Sequence, residues 1–351
     1  MRGIVAGFLF LATILIIGSC DLFSDTNSNM APQIDQIEIE GDTYCRSTVS
    51  LYCIASDIDD DELTYFWSIN LGGYSDEGPE KEWVIPDQPD TYRIDCKVVD
   101  SEGNSDIHTK YVDATIPIPE NELLLWYKFD GYDGTSDNAK DYSGNDYWGF
   151  TTGTSLTTDR LGQTDSARSF DGRDDYITIG NSNPYGDGFL KPEPEFPFTI
   201  SLWVKGHNLG NGEPKSLIYT NDEYGSYYGA MLDILGDGRV QVSFGWGASA
   251  DNPDGRRKFT TDDALQTNTW THIAAVVNSS NEMKIYIDGD EVSGTYSGRN
   301  RNIILYTGQI GTIGQSKSSA YQNYDGGLDN IYIYDRELSS TEVFYLYHDQ
   351  H

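Results

Sequence analysis

Between Pro32 and Ala114 apolar residues recur at every second position in short runs bounded by turn residues, a spacing that predicts a seven-strand sandwich. Leu63-Thr64-Tyr65-Phe66-Trp67, Glu82-Trp83-Val84-Ile85-Pro86 and Thr91-Tyr92-Arg93-Ile94 are the clearest strand cues. In 48–55 the positions Val49, Leu51, Cys53 and Ala55 share one face, and in 92–98 the inward set is Tyr92, Ile94, Cys96 and Val98. Two prolines in Thr115-Ile116-Pro117-Ile118-Pro119-Glu120-Asn121 then predict a stiff, extended connector over 115–121.

Beyond Glu122 the period-two pattern resumes and runs to about Tyr347 without another such linker. Phe198, Ile200, Leu202 and Val204 alternate with Thr199, Ser201 and Trp203; Ile285 and Ile287 oppose Tyr286; Ile331 and Ile333 oppose Tyr332 and Tyr334. Aromatics on the second face predict sheets covered on both sides, or a face used for binding. Gly236-Asp237-Gly238 and Asp288-Gly289-Asp290 supply the positive φ of tight hairpin turns. Only 339–347 reads as helical, with Ser339 as N-cap and Glu342 completing a capping box. An aspartate, Asp130, leaves the strand around Leu125, and another, Asp329, enters the strand around Ile331. Antiparallel pairing of these two strands would close the domain and set both carboxylates at one sheet edge.

A chain of 351 residues with 25 Tyr and 36 Gly is large enough for two domains built of strands and turns. Its formal charge of -33 argues against nucleic acid or an anionic membrane surface as partner, because phosphates repel acidic proteins. Excess carboxylate suits solubility, divalent cations or neutral glycans. At the N-terminus Arg2, an apolar run from Ile4 to Ile17, and Gly18-Ser19-Cys20 form a stretch too short for a stable span, which predicts a secretory signal over 1–19. In an oxidising compartment three further cysteines remain. Cys53 and Cys96 point at the same core and are expected to form a disulfide, leaving Cys45 unpaired.

Ile17-Gly18-Ser19-Cys20 resembles a bacterial lipobox, which implies cleavage before Cys20, lipid on Cys20, and a flexible tether over 20–31. Each buried acyl methylene adds roughly 0.8 kcal/mol of membrane affinity. The implied location is the bacterial cell envelope, at the outer membrane or cell surface, with Asp21 a residue that affects sorting in some bacteria. Ala55-Ser56-Asp57, Trp67, Trp83-Val84-Ile85-Pro86 and Val99-Asp100-Ser101-Glu102-Gly103 make 32–114 resemble a PKD-type immunoglobulin-like module, which implies a spacer or adhesive role. Eight blocks then occur in register over 122–351. They include Trp126-Tyr127-Lys128-Phe129-Asp130-Gly131, Ser169-Phe170-Asp171-Gly172, Trp270-Thr271-His272-Ile273-Ala274, Gly327-Leu328-Asp329-Asn330-Ile331 and Asp335-Arg336-Glu337-Leu338-Ser339. Together they resemble the LamG-like family of concanavalin A-like lectin and glucanase jelly rolls. The expected fold class is all-β: an immunoglobulin-like sandwich followed by a jelly roll, the latter often carrying a structural calcium and binding glycans or proteins.

Calcium takes six to eight hard oxygens from flexible loops. Asp130, Asp141, Asn145 and Asp329 are the candidate ligands, and the resemblance favours Asp130 and Asp329. The run Asp57-Ile58-Asp59-Asp60-Asp61-Glu62 is a second acidic candidate, though such turns usually sit in solvent. Jelly-roll glucanases carry two carboxylates on alternate residues of one strand, and no strand here has that pair. No nucleophile set is evident, and His272 is assigned to packing or hydrogen bonding, so no enzyme activity is expected. Stacking platforms for sugars are sought among loop aromatics: Trp246, flanked by Gly245 and Gly247 and near Asn252 and Asp254, then Tyr224, Tyr227 and Tyr321, with Arg256 as a polar neighbour. These features predict a membrane-anchored lipoprotein presenting a non-catalytic domain for polysaccharide or matrix binding. The alternative is a cell-surface protein–protein adhesin or scaffold.

Overall fold

The computed structural model describes residues 29–130, 138–179, 193–221, 224–249, 252, 254–316 and 323–349. The expected signal peptide, Cys20, most of the tether, and Tyr321 lie outside the described residues. No helix among those residues is long and apolar enough to cross a membrane. The chain divides into two units, one of residues 1–43 and 47–114, the other of 44–46 and 115–351.

The first unit is an immunoglobulin-like sandwich of two antiparallel sheets. Gln33–Glu40, Thr48–Ser56 and Glu80–Val84 form one, and Ser75–Asp76, Thr64–Ile69, Thr91–Val99 and Ser105–Asp113 form the other. The alternating positions fill its core: Val49, Leu51, Tyr92, Ile94 and Val98 are buried, and Trp67 lies among them with its indole N–H donating to the Gly78 carbonyl at 3.0 Å. Cys53 and Cys96 do meet in this core, but as free thiols. No disulfide joins them in this structure, and the adjacent Cys53 thiol together with burial pushes the Cys96 thiol far above its ordinary range. Cys45 is a third buried thiol.

The second unit is a larger jelly-roll sandwich. One sheet has nine strands, in spatial order Gly294–Ser297, Arg256–Ala264, Arg239–Ser249, Ser226–Ile234, Lys215–Tyr219, Gly311–Ile313, Tyr176–Ile179, Gly149–Thr152 and Asn138–Ala139. The facing sheet runs Ser155–Thr157, Ala167–Asp171, Asp325–Tyr334, Phe198–Gly206, Thr271–Ser279, Glu282–Ile287 and Asp290–Val292. Its eighth strand, Leu123–Tyr127, pairs antiparallel with Asp325–Tyr334, bringing Tyr127 opposite Ile331 and Leu125 opposite Ile333. The two terminal strands of the domain thus close on each other as their alternation implied.

Phe198, Ile200, Leu202, Val204, Ile331 and Ile333 point into the core between the sheets. The opposite face is also covered. Tyr332, Tyr334, Ala274, Val276 and Tyr286 pack under Val343 and Leu346 of the helix Ser340–His348. The covering helix explains why aromatics occupy the second face of these strands. Ser339 caps it, accepting from the Glu342 amide while the Glu342 carboxylate accepts from the Ser339 amide. That box satisfies two of the helix's orphan donors.

His272 shows what the covered face does to a polar side chain. It is fully buried beside Trp203, with Nε2 and the Ser201 hydroxyl 2.8 Å apart. Ser201 is itself fully buried, and among the described residues His272 Nδ1 has no hydrogen-bond partner. Burial, helped by Arg160 and His348, lowers the His272 pKa to about 3. Below an unfolded value of 6.5 the unfolded chain therefore takes up a proton that the folded one refuses, and stability is lost as pH falls towards 3. Acidification from about pH 7 to pH 4 should cost about 3 kcal/mol through this residue. Urea unfolding across that range should show the loss in the native chain and a flatter profile in His272→Asn; equal slopes would remove the assignment.

Candidate functional site

Each of the four candidate calcium ligands is bonded to a protein group, although Asp329 keeps a buried oxygen, Oδ1, without a hydrogen-bond partner among the described residues. Asp141 accepts from the amides of Trp126, Ser143 and Tyr147 and from the Ser143 hydroxyl, all within 2.9–3.0 Å. Asn145 turns its amide nitrogen to the carbonyls of Leu123 and Leu124. Asp130 pairs with Lys128 at 2.8 Å. Asp329 is buried and bonded to the Arg160 guanidinium at 2.7 Å, where the arginine side chain is only 5% exposed. Arg160 also donates to the Asp349 carbonyl and lies 4.8 Å over the Trp203 ring.

A cation does sit against Asp329, but it is a guanidinium rather than a metal ion. Burial raises the Asp329 carboxyl well above its ordinary range, Arg160 opposes the rise, and the carboxylates of Asp159 and Asp130 add to it. The donors around Asp141 and the arginine at Asp329 are the wrong partners for a divalent ion, so the seam does not fit calcium. Two other carboxylate groups are close enough to share a cation: Asp57, Asp61 and Asp100 in the first unit, and Asp171, Asp174 and Asp175 in the second. Asp100 is already engaged by Asn29, Glu102 and Asn104.

The Gly245-Trp246-Gly247 segment builds a different site. Tyr227 pairs with Ala248 and Tyr228 with Trp246, so Gly247 is an extra residue, a β-bulge, in the strand Arg239–Ser249. Gly247 has φ +85°, and a Cβ there would lie 2.6 Å from the Tyr228 hydroxyl; one on Gly245 would lie 2.3 Å from the Tyr227 carbonyl. Only glycine fits at either position. The core stripe Val240, Val242 and Phe244 ends at this point, and Trp246 continues it half-buried against the core.

Trp246 forms a wall of a cleft of about 400 Å³ with Asn252, Asp254, Gly298, Arg299 and Arg301. That volume lies within the usual range for a small-ligand site. The segment carrying the arginines is held from behind: the Asn300 and Asn302 side-chain carbonyls accept from the Ser280 hydroxyl and amide at 2.6 and 2.9 Å. Arg257 ties the same turn down through Ser280, Gly298 and Asn281. Leu305 bridges the Gly245 carbonyl and the Gly229 amide. Arg299 and Arg301 are exposed, and the Arg301 guanidinium stands 5.6 Å from the Trp246 ring.

The other expected sugar contacts fall elsewhere. Tyr224 is 80% exposed on the turn before Ser226–Ile234. Tyr227 is capped by the Arg256 guanidinium at 4.3 Å. Arg256 itself is a buried structural group, bonded to Ser243 at 3.2 Å and facing Asp233 at 3.4 Å, rather than a lining residue of the Trp246 cleft. Arg299 and Arg301 escaped notice in the sequence, although two arginines in the short run Arg299-Asn300-Arg301-Asn302 stand out in so acidic a chain.

A second cleft, also of about 400 Å³, is lined by Arg160, Trp203, Trp270, Asp288, Tyr347 and His348. Its binding groups are already engaged. Arg160 is held by Asp329, and Trp203 lies against Arg160 and is stacked on Tyr347 at 5.6 Å. The Trp246 cleft, by contrast, keeps its guanidinium donors available.

Residues 170–344 match the family model Laminin_G_3, described as the concanavalin A-like lectin/glucanases superfamily. The match, just under half of the chain, supports a concanavalin A-like fold for the second unit. It contains the whole Trp246 cleft and Asp329, but neither Arg160 nor the strand Leu123–Tyr127, which complete the seam. No curated protein matches the chain in sequence. Among solved structures, the concanavalin A-like domain is similar to the botulinum neurotoxin serotype D binding domain, at 16% identity and a TM-score of 0.47, over 65% of this chain and 51% of that one. It is also similar to the serotype D ligand binding domain in complex with N-acetylneuraminic acid and to the receptor binding domain of the C/D mosaic serotype. Each of these has 16% identity and a TM-score of 0.48, over 66% of this chain and 52% of the other. The chain thus spans about half the length of these structures.

The guanidinium at the seam makes a direct prediction for the concanavalin A-like domain. EGTA should leave its thermal midpoint unchanged, whereas Arg160→Met, which strands a buried carboxylate, should cost about 3 kcal/mol. Adding Asp329→Asn to Arg160→Met should recover part of that loss in urea titrations. A drop in midpoint with EGTA comparable to that of Arg160→Met would place a metal at the seam instead.

Proposed function

We propose that the protein is an envelope lipoprotein whose concanavalin A-like domain binds saccharide, without catalysis, in the Trp246 cleft. One observation carries the reading: an indole placed by a bulge on the wall of an open cleft, with amide, carboxylate and guanidinium groups around it. A sugar ring presents an apolar face to an indole and hydroxyls to polar groups at its rim, and this cleft supplies both kinds of contact. The first unit then serves as a PKD-like spacer, the 115–121 segment as a stiff connector, and lipid on Cys20 as the anchor. This placement rests on the lipobox-like Ile17-Gly18-Ser19-Cys20 and the proline-containing connector.

A glycan array probed with the native chain should give saccharide hits that Trp246→Ala weakens by about tenfold or more, while Tyr224→Ala changes them little. An array without hits, set beside capture of one envelope protein, would favour the adhesin reading. Cys20→Ser should move the protein from the detergent phase to the aqueous phase on Triton X-114 partition of whole cells. Retention in the detergent phase would refute the anchor.

A further inference from the structure

The chain carries 56 acidic residues against 23 lysines and arginines. In such a chain a basic side chain has many carboxylates within reach. Four arginines of the second unit are paired in this way: Arg160 with Asp329, Arg239 with Asp237, Arg256 with Asp233, and Arg336 with Glu342, while Arg257 is spent on the Ser280 and Gly298 carbonyls and Asn281. Arg299 and Arg301 differ in that both are exposed and line an open cleft. Among the described residues neither guanidinium has a carboxylate partner, although both line a cleft that includes Asp254. They are nonetheless positioned, because Asn300 and Asn302 anchor this segment on Ser280 and both arginines line the cleft.

From this we infer that the Trp246 cleft selects acidic saccharides, taking a sugar ring that bears a carboxylate or sulfate group. The inference rests on the saccharide reading above and sharpens it. With the ring against Trp246, an anionic substituent comes within reach of Arg301, whose guanidinium stands 5.6 Å from the indole, and of Arg299 beside it. Guanidinium donors bind planar or tetrahedral oxyanions through paired hydrogen bonds, which no neutral hydroxyl matches in strength. The net charge of -33 does not oppose this at contact distance. At physiological ionic strength the screening length is about 8 Å, so the two arginines outweigh acids on distant faces. Composition alone suited solubility, divalent cations or neutral glycans; in the cleft, two arginines stand against the one carboxylate of Asp254 among the described lining residues.

The test uses the full chain and matched polymers: polygalacturonate against its fully methyl-esterified form, and dextran sulfate against dextran, by affinity electrophoresis and calorimetry. At least one anionic polymer should bind about tenfold or more tightly than its neutral counterpart. Arg299→Gln and Arg301→Gln should each erase most of that preference while leaving the thermal midpoint unchanged. The pair that shows the preference tells carboxylate from sulfate. Equal binding of neutral and anionic forms, or a preference that survives both substitutions, overturns the acidic class and leaves the saccharide reading standing. No binding to these polymers or to any array glycan overturns both.

Discussion

The strand Asp325–Tyr334 changes partner part-way along one edge, and the organisation of the larger domain follows from that change. On one side it runs beside Phe198–Gly206 throughout. On the other it pairs first with Ala167–Asp171, through Leu328, and then with Leu123–Tyr127, from Ile331. Asp329 and Asn330 occupy the changeover, where the first side also slips register and Asn330 takes φ +44°. No ladder hydrogen bonds are available on that edge, so side chains take over: Arg160 reaches Asp329, and the Trp126 indole donates to Asn330 at 3.2 Å. A buried ion pair of this kind contributes little net stability over apolar packing. Its removal, however, would leave a charge in the middle of a sheet.

Two kinds of polar group are thereby separated in the molecule. Arg160, Arg256, His272 and Asp141 are used by the fold: each is covered and each has at least one specific partner. Arg299, Arg301, Asn252 and Asp254 stand around an open cleft whose floor is an indole. Recognition chemistry is read more safely from the second kind, because a group already desolvated and paired has little free energy left to offer a ligand.

Much of the architecture was legible in the sequence because it follows from local rules. Alternation at Phe198–Val204 and Ile331–Tyr334 identified strands either covered on both faces or with one face used for binding, and Ser339 with Glu342 identified the C-terminal helix by its cap. Glycines on both sides of Trp246 read as a loop, whereas the segment is a bulged part of the strand Arg239–Ser249. What stayed hidden is pairing between distant segments. Nothing near Asp329 in sequence announces Arg160, and nothing near Tyr227 announces that Arg256 lies across its ring. Arg299 and Arg301 went unremarked for a related reason: that neither has a carboxylate partner among the described residues is disclosed only by three-dimensional placement. Two cysteines on one inward face were visible too, but whether sulfurs join depends on geometry that periodicity does not encode.

The extra residue at Gly247 lengthens one strand and shifts its pairing register by one residue, while the ladder continues on both sides of it. In evolutionary terms it uncouples specificity from foldability. Val240, Val242 and Phe244 are tied to a nine-strand packing problem and can drift only together with their neighbours. Trp246 and the Arg299–Asn302 strip meet solvent on one side, so they can be exchanged one residue at a time. A lineage built on this scaffold could therefore diversify its targets rapidly while its interior stayed nearly frozen.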